Sequence, residues 1–150
     1  MDNFDRLILV NLQSNNKVTS EELGHEIGLS ATAVQRRVKK LRETGIIDKE
    51  IAVLNSNQLG GFVTVIVDVV MVKGGTQIID GFKEKAIKNP DVQQCYYVAG
   101  DKDFVLVITA TNMQRYEEIT RELFLDDANI LKFTSNIAMQ PVKVGLSIPI

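Results

Sequence analysis

The stretch Val18-Thr19-Ser20-Glu21-Glu22-Leu23, with Gly28-Leu29-Ser30 just beyond it, decides how the first third of the chain reads. Thr19 is placed to cap a helix, and Glu22, three residues on, can reach back to it in a capping box. Val18 and Leu23 occupy the two hydrophobic-staple positions, so this helix start is specified twice. Gly28 supplies a left-handed stop, which leaves a helix of about eight residues. Ser30 caps the next helix at once, with Leu29 stapling to Val34. A short helix, a tight Gly turn and a second capped helix make a helix-turn-helix.

Working outward, Phe4, Leu7, Ile8 and Leu12 recur at helical spacing and predict an amphipathic helix over residues 3–14. The polar run Ser14-Asn15-Asn16-Lys17 ends it. On the other side, Val34, Val38 and Leu41 line the inner side of a third helix that stops at Gly45. Ile46 to Leu54 contains a short alternating segment, expected to form a strand or small hairpin, the wing of a winged helix.

Stepping 100° per residue from Val34 puts Thr32, Gln35, Arg36 and Lys39 on the outer side of the third helix, with Arg37 and Lys40 flanking. The window from Gln35 to Arg42 holds five cations and no anion. A helix entering the major groove places its N-terminal residues at base edges, where Gln and Arg match the donor and acceptor pattern, while later cations meet phosphates. Ser30, Thr32, Gln35, Arg36, Arg37, Lys39 and Lys40 are therefore the candidate contacts to double-stranded DNA. Glu43 limits the surface at its far end. Arg37 lies nearer the inner side, so an internal ion pair and a phosphate contact are both open to it. The whole-chain balance, 17 basic against 19 acidic residues with a pI near 5.4, conceals this patch.

Beyond the polar, Gly-containing boundary Asn55-Ser56-Asn57-Gln58-Leu59-Gly60-Gly61 the period changes. Strands read at 62–72, 92–99, 103–111 and 130–140. Between the first two lies a helix begun by Thr76, with Ile78, Ile79, Phe82 and Ala86 inward and Asn89-Pro90 ending it. Between the last two lies a helix with Met113, Tyr116, Ile119 and Leu123 inward, and Thr111 to Gln114 able to form a capping box. The order β-α-β-β-α-β is a ferredoxin-like unit with both helices on one face of an antiparallel sheet.

One face of the first strand is Val63, Val65, Val67, Val69 and Met71. The other, Phe62, Ile66, Val70 and Val72, is interrupted by Thr64 and Asp68, yet still apolar enough to call for a partner sheet. In the last strand Leu131, Phe133, Ile137 and Met139 alternate with Lys132, Thr134, Asn136 and Ala138. A homodimer covers the open face and pairs two reading helices on a two-fold operator. In the loop Ala99-Gly100-Asp101-Lys102-Asp103-Phe104 the carboxylates can bind a cation, a ligand amino group or a neighbouring subunit, or simply be solvated turn acids. Cys95 reads as a packed strand residue. Tyr96 and Tyr97 point to opposite sides.

A single Cys excludes an internal disulfide and Cys-rich zinc sites, and the lone His25 leaves too few ligands for a conventional metal centre. No Ser-His-Asp, Cys-His or phosphate-loop spacing is present, so the chain reads as no enzyme and no cofactor is expected. The most apolar run, Phe62 to Val72, contains Asp68 and falls short of the roughly 20 residues that span a bilayer. The acidic start Met1-Asp2-Asn3-Phe4-Asp5 is unlike a signal peptide. A soluble, cytoplasmic chain without a membrane partner is expected.

The chain resembles the leucine-responsive regulatory protein and AsnC family of transcription regulators. The matching stretches are Asp5-Arg6-Leu7-Ile8-Leu9, Gly28-Leu29-Ser30, Arg36-Arg37-Val38-Lys39-Lys40-Leu41, Gly45-Ile46-Ile47, Tyr97-Val98-Ala99-Gly100-Asp101-Lys102-Asp103-Phe104 and Val142-Lys143, in family order. The resemblance implies an α+β chain with a winged helix-turn-helix DNA-binding domain at 1–47, a wing and linker at 48–61, and a ferredoxin-like βαββαβ sensing and oligomerisation domain at 62–150. It further implies dimers, often assembled into octamers, and an amino-acid effector held by Gly100, Asp101 and Asp103 with Thr134, Ser135, Asn136 and Ile137 of a neighbouring dimer. Asp103 is then the expected partner of the effector's ammonium group. The family's usual Tyr near Glu50-Ile51 is missing. An architectural DNA-binding protein without an effector, and an amino-acid-sensing subunit of an enzyme, are the alternatives.

Overall fold

Thr19 caps its helix from both directions. Its hydroxyl oxygen accepts from the Glu22 N–H at 3.1 Å, and Glu22 Oε2 accepts from the Thr19 N–H at 2.8 Å. In this computed structural model, which describes residues 1–150, three helices form the first part of the chain: α1 (Asn3–Ser14), α2 (Ser20–Ile27) and α3 (Ala31–Glu43). Gly28 closes α2 in the left-handed region at φ 76°, which only glycine adopts freely. The Leu29 N–H then donates to the Gly24 carbonyl at 2.8 Å, and Ser30 Oγ accepts from the Ala33 N–H at 3.2 Å to start α3. Ile8, Leu9, Leu23, Val34, Val38 and Leu41 are the buried core of this part. Phe4 and Leu7, expected inside, lie at its rim and are more than one third exposed, because Leu9 takes the place beside Ile8 on the buried arc.

Two acids on α1 reach α3. Asp2 and Asp5 cap each other's backbone N–H groups at 3.0 Å. Arg37 Nη1 donates to Asp2 Oδ2 at 2.8 Å and to Asp5 Oδ1 at 2.7 Å, and its guanidinium lies 5.5 Å from the Phe4 ring centroid.

The wing is not present as a β-element. Residues 46–54 carry no strand, and Ile51 and Val53 are exposed. The alternation there is short and broken by Asp48-Lys49-Glu50, and an isolated two-stranded hairpin is marginal in water. Glu50 instead binds Arg42 in a two-pronged pair, both contacts at 2.9 Å.

A short 3₁₀ turn, Ser56–Leu59, precedes the second set of elements: β1 (Val63–Met71), α4 (Thr76–Lys88), β2 (Val92–Tyr97), β3 (Phe104–Ala110), α5 (Met113–Thr120) with a π-helical extension Arg121–Leu125, and β4 (Ile130–Ile137). The sheet is antiparallel in the order β2-β3-β1-β4. Val65, Val67, Val69 and Met71 of β1 pack with Phe104, Leu106 and Ile108 of β3 under Phe82 and Ala86 of α4 and Tyr116, Ile119, Leu123 and Phe124 of the last helix. Phe82 is the hub, its ring centroid 4.7 Å from that of Phe104 and 6.4 Å from that of Phe124.

Three local expectations change. Asn112, rather than Thr111 with Gln114, caps α5 by accepting from the Arg115 N–H at 2.8 Å. Met113, at the first turn above the sheet edge, is about half exposed instead of inward. A register shift between Val70 and Met71 pairs Met71 with Ile130, so Ile130 packs on the core and Leu131 is pushed to solvent.

The chain divides into two compact units, Met1–Val53 with Lys143–Ile150, and Leu54–Val142. Within the first, the Gln13 amide brackets the backbone of Ile148, donating to its carbonyl at 3.1 Å and accepting its N–H at 2.7 Å.

A Cβ on Gly24 would stand 2.5 Å from the Leu29 carbonyl oxygen, a backbone atom that cannot swing away. Gly24→Ala is expected to cost about 1–3 kcal/mol in chemical denaturation through overpacking of the turn; an unaltered midpoint would contradict this close approach. The Asp2 and Asp5 carboxyls are held below their ordinary range, each chiefly by the other's backbone N–H and then by Arg37. A depressed carboxyl stabilises the fold above its unfolded pKa and ceases to as pH falls through the folded value. The thermal stability gap between the parent and Arg37→Met should therefore be full at pH 7 and shrink below about pH 4; a pH-independent gap would argue against the clamp.

Candidate functional site

The outer surface of α3 follows from its inner one. With Val34, Val38 and Leu41 buried, Thr32, Gln35, Arg36, Lys39 and Lys40 are exposed. Ser30 is committed to capping, its hydroxyl turned to the first-turn backbone. Arg37 is not free: both of its acidic partners and the Phe4 ring take it up, and it is half-buried. Arg42 is also spent, on Glu50, whose carboxyl it holds below the usual range. Lys39 lies 3.7 Å from Glu43 in an exposed pair worth little in water. Arg36 and Lys40 make no ion pair in the chain and project the uncompensated charge of the helix.

In the four-stranded unit the expected residues separate onto two sides of the sheet. Thr134 pairs with Asp68, and Asn136 with Ile66, on the face away from the helices. Ser135 is on the helix side, its hydroxyl 2.6 Å from the Tyr116 hydroxyl, and Ile137 pairs with Val65. Within one chain, Thr134 and Asp101 come together in a concavity of about 120 Å³, with Asp68, Val70, Lys102 and Lys132. Ser135, Ile137, Asn136 and Gly100 do not line it.

Asp103, the expected ammonium partner, is anchored by hydrogen bonds within the chain. Its N–H donates to the Val69 carbonyl at 2.9 Å, its carboxylate accepts the Met71 N–H at 2.7 Å, and its carbonyl accepts the Val98 N–H at 2.9 Å. The first two bonds stitch the loop to the end of β1, and the third closes the β2–β3 connection on itself. Lys102 donates to the Asp68 carboxylate, which holds its ammonium above the ordinary range. Tyr96 lies on the open face with Gln94, and Tyr97 on the helix side against Phe104 at 5.1 Å, the opposite orientations expected. Cys95 is half-buried against the core, and burial pushes its thiol pKa up.

Sequence reasoning missed Asp68 as a site residue, Lys132 and the Asp2–Asp5 pair. Asp68 and Lys132 were signalled by charge on an otherwise apolar face, and Asp2 and Asp5 by capping-box spacing ahead of the first apolar residue.

Comparison with known proteins agrees with this arrangement. Residues 1–42 match the AsnC-type helix-turn-helix domain and residues 64–148 the Lrp/AsnC ligand binding domain. An uncharacterised HTH-type transcriptional regulator of Sinorhizobium fredii is 39% identical over 150 residues, covering 100% of this chain and 89% of its own. The leucine-responsive regulatory protein of Escherichia coli is 29% identical over 143 residues, covering 95% and 87%. Among solved structures, an AsnC family transcriptional regulator of Agrobacterium tumefaciens superposes with a TM-score of 0.91 at 28% identity over 99% of this chain and 97% of its own. A transcriptional regulator of Neisseria meningitidis, solved as its L-Met complex, gives 0.90 at 25% identity over 99% and 96%. With a helix-turn-helix followed by the four-stranded ligand-binding domain in family order, the chain belongs to the Lrp/AsnC family of transcriptional regulators.

Proposed function

We propose that residues 1–47 read operator DNA through α3, that 48–61 connect, and that 62–150 bind an amino acid and assemble the chain. The observation that carries the DNA reading is the outward face of α3, where Arg36 and Lys40 have no partner in the chain while Arg37 and Arg42 do. Thr32, Gln35 and Arg36 meet base edges near the start of the helix, and Lys39 and Lys40 meet phosphates. Ser30 serves by fixing the helix start. Arg37 is a positioning residue: it sets the angle of α3 on α1 and touches no phosphate. The chain acts by binding rather than catalysis, as its relatives are regulators. It works in the cytoplasm with the DNA, and no helix is long and apolar enough to cross a membrane.

The L-Met complex of the Neisseria meningitidis regulator supports an amino-acid effector, as does the match to the family's ligand-binding domain. It binds at the loop of Gly100, Asp101 and Asp103, with the site completed by Thr134, Ser135, Asn136 and Ile137 of a neighbouring dimer. Ile66, exposed on that face and flanked by Val107, is covered by a second copy in a homodimer, and dimers assemble further to an octamer.

Salt-dependent binding to DNA from its own upstream region separates the roles on α3. Lys40→Ala should weaken binding and flatten the slope of log K against log salt by about 0.9 for the one phosphate lost. Arg37→Ala should weaken binding and leave the slope as it was, because no counterion release is lost. Parent-like affinity in an Arg36→Ala, Lys40→Ala double variant would remove α3 as the reading helix. Light scattering should give a dimer or a multiple of one, and a monomer at micromolar concentration would contradict the covered sheet face.

A further inference from the structure

The segment after α3, expected to belong to a wing, sends one side chain back to the reading helix, and that side chain takes up a cation which helical spacing places beside the DNA contacts. Gln35, Lys39 and Arg42 stand at i, i+4 and i+7, a single stripe along a helix. Arg42 is the C-terminal member of the stripe, roughly 10 Å along the axis from Gln35. Gln35 and Arg42 also line one concavity beside Val38. By position, Arg42 is a phosphate contact of the same kind as Lys39.

Its contacts withhold it from that role. Nε and Nη2 of Arg42 form the two-pronged edge that suits a phosphate as well as a carboxylate, and Glu50 fills both at 2.9 Å. A phosphate arriving there would have to displace the carboxylate and then lie beside it with like charge. Glu50 is also the one residue between Ile47 and Asn55 that hydrogen-bonds to the rest of the chain. Ile47 is still tied to the helix end, its N–H donating to the Leu41 carbonyl at 3.1 Å, and Asn55 already caps the 3₁₀ turn. The two side chains are 52% and 36% exposed, and exposed pairs are weak enough for a small displacement of the segment to part them. The hold on Arg42 thus depends on the path the chain takes as it leaves the DNA-reading unit at Val53.

We propose that Glu50 is an affinity-limiting residue: it keeps Arg42 off the DNA backbone while residues 48–53 hold their present path, and withdrawing it adds one phosphate contact per reading helix. The proposal rests on the reading of α3 given above and adds to it a residue that opposes DNA binding. The strength of sequence-independent attraction is then adjustable through the linker, without any change in the residues that face base edges.

Salt titrations test this on the full chain, with fluorescence anisotropy of a fixed duplex from its own upstream region. The parent is compared with Glu50→Ala, Arg42→Met and the two combined. Asp48→Asn removes a nearby acid that has no ion-pair partner, and controls for charge alone. Glu50→Ala should bind more tightly than the parent at low salt and steepen log K against log salt by about 0.9 per reading helix. Its advantage should shrink about threefold over roughly 50–200 mM salt. Arg42→Met, Asp48→Asn and the combined variant should keep the parent slope. Glu50→Gln retains an acceptor oxygen without the charge, and should fall between the parent and Glu50→Ala; thermal melts check that each variant folds. Three results overturn the proposal and leave α3 as the reading helix: a parent slope in Glu50→Ala, a steepening that survives loss of Arg42 or is matched by Asp48→Asn, and a shallower slope in Arg42→Met, which means that Arg42 already meets a phosphate. Failure of the parent to bind the duplex at low salt overturns both.

Discussion

Strand β1 is the element on which the sensing unit depends. It is paired on both edges, to β3 and to β4, and its side chains alternate between two environments that cannot be exchanged. Val65, Val67 and Val69 are fully buried under the helices, and burying three such residues contributes on the order of 5 kcal/mol or more to holding that register. A slip of one position would send Asp68 into the core and these valines into water. The register therefore fixes where Asp68 and Val70 stand on the open face. The last turn of the same strand supplies the Val69 carbonyl and Met71 N–H that anchor Asp103. Core packing and the geometry of the loop at Gly100–Asp103 are thus set by one alternation.

In the DNA-reading unit the governing theme is how cations are allotted. Eight basic residues face eight acidic ones in residues 1–60, yet the acids are not placed at random. Asp2 and Asp5 neutralise Arg37 at the α1–α3 contact, and Glu50 neutralises Arg42 beyond it. On α3 itself the cations left outward are therefore Arg36, Lys39 and Lys40, near its middle, where a groove-bound helix needs them. A surface with so few free cations gives modest sequence-independent attraction per chain. The proposed dimer would add avidity, because its second helix would bind at an effective concentration set by the first.

Much of this is readable in the residues, because local rules and tertiary packing agree. The Thr19 capping box, the Gly28 stop, the Ser30 cap and the βαββαβ order all appear in the structure where spacing places them. Four things are not legible, each for a physical reason. The wing is absent because a hairpin needs more than an alternating pattern broken by charge. The bulge beside Met71 swaps Ile130 for Leu131, and two adjacent apolar residues look alike to a period-two reading. The anchoring of Asp103 depends on backbone groups of β1, which the sequence carries at every position and so cannot single out. The same holds for the choice between an ion pair and a phosphate contact at Arg37, which three-dimensional proximity to Asp2 and Asp5 decides.

Regulation requires that the ligand favour one DNA-binding state over another; equal affinity for both shifts nothing. Linkage makes the coupling reciprocal, so DNA must change ligand affinity by the same factor as ligand changes DNA affinity. The most direct measurement is the equilibrium affinity of the full chain for a fragment of its own upstream DNA, by fluorescence anisotropy, with and without a saturating amino acid identified by calorimetry. The account predicts specific binding whose affinity shifts by about fivefold or more in either direction, the lower end of ordinary allosteric coupling. Specific DNA binding that is identical at every amino-acid concentration, or no binding to DNA at all, would contradict it.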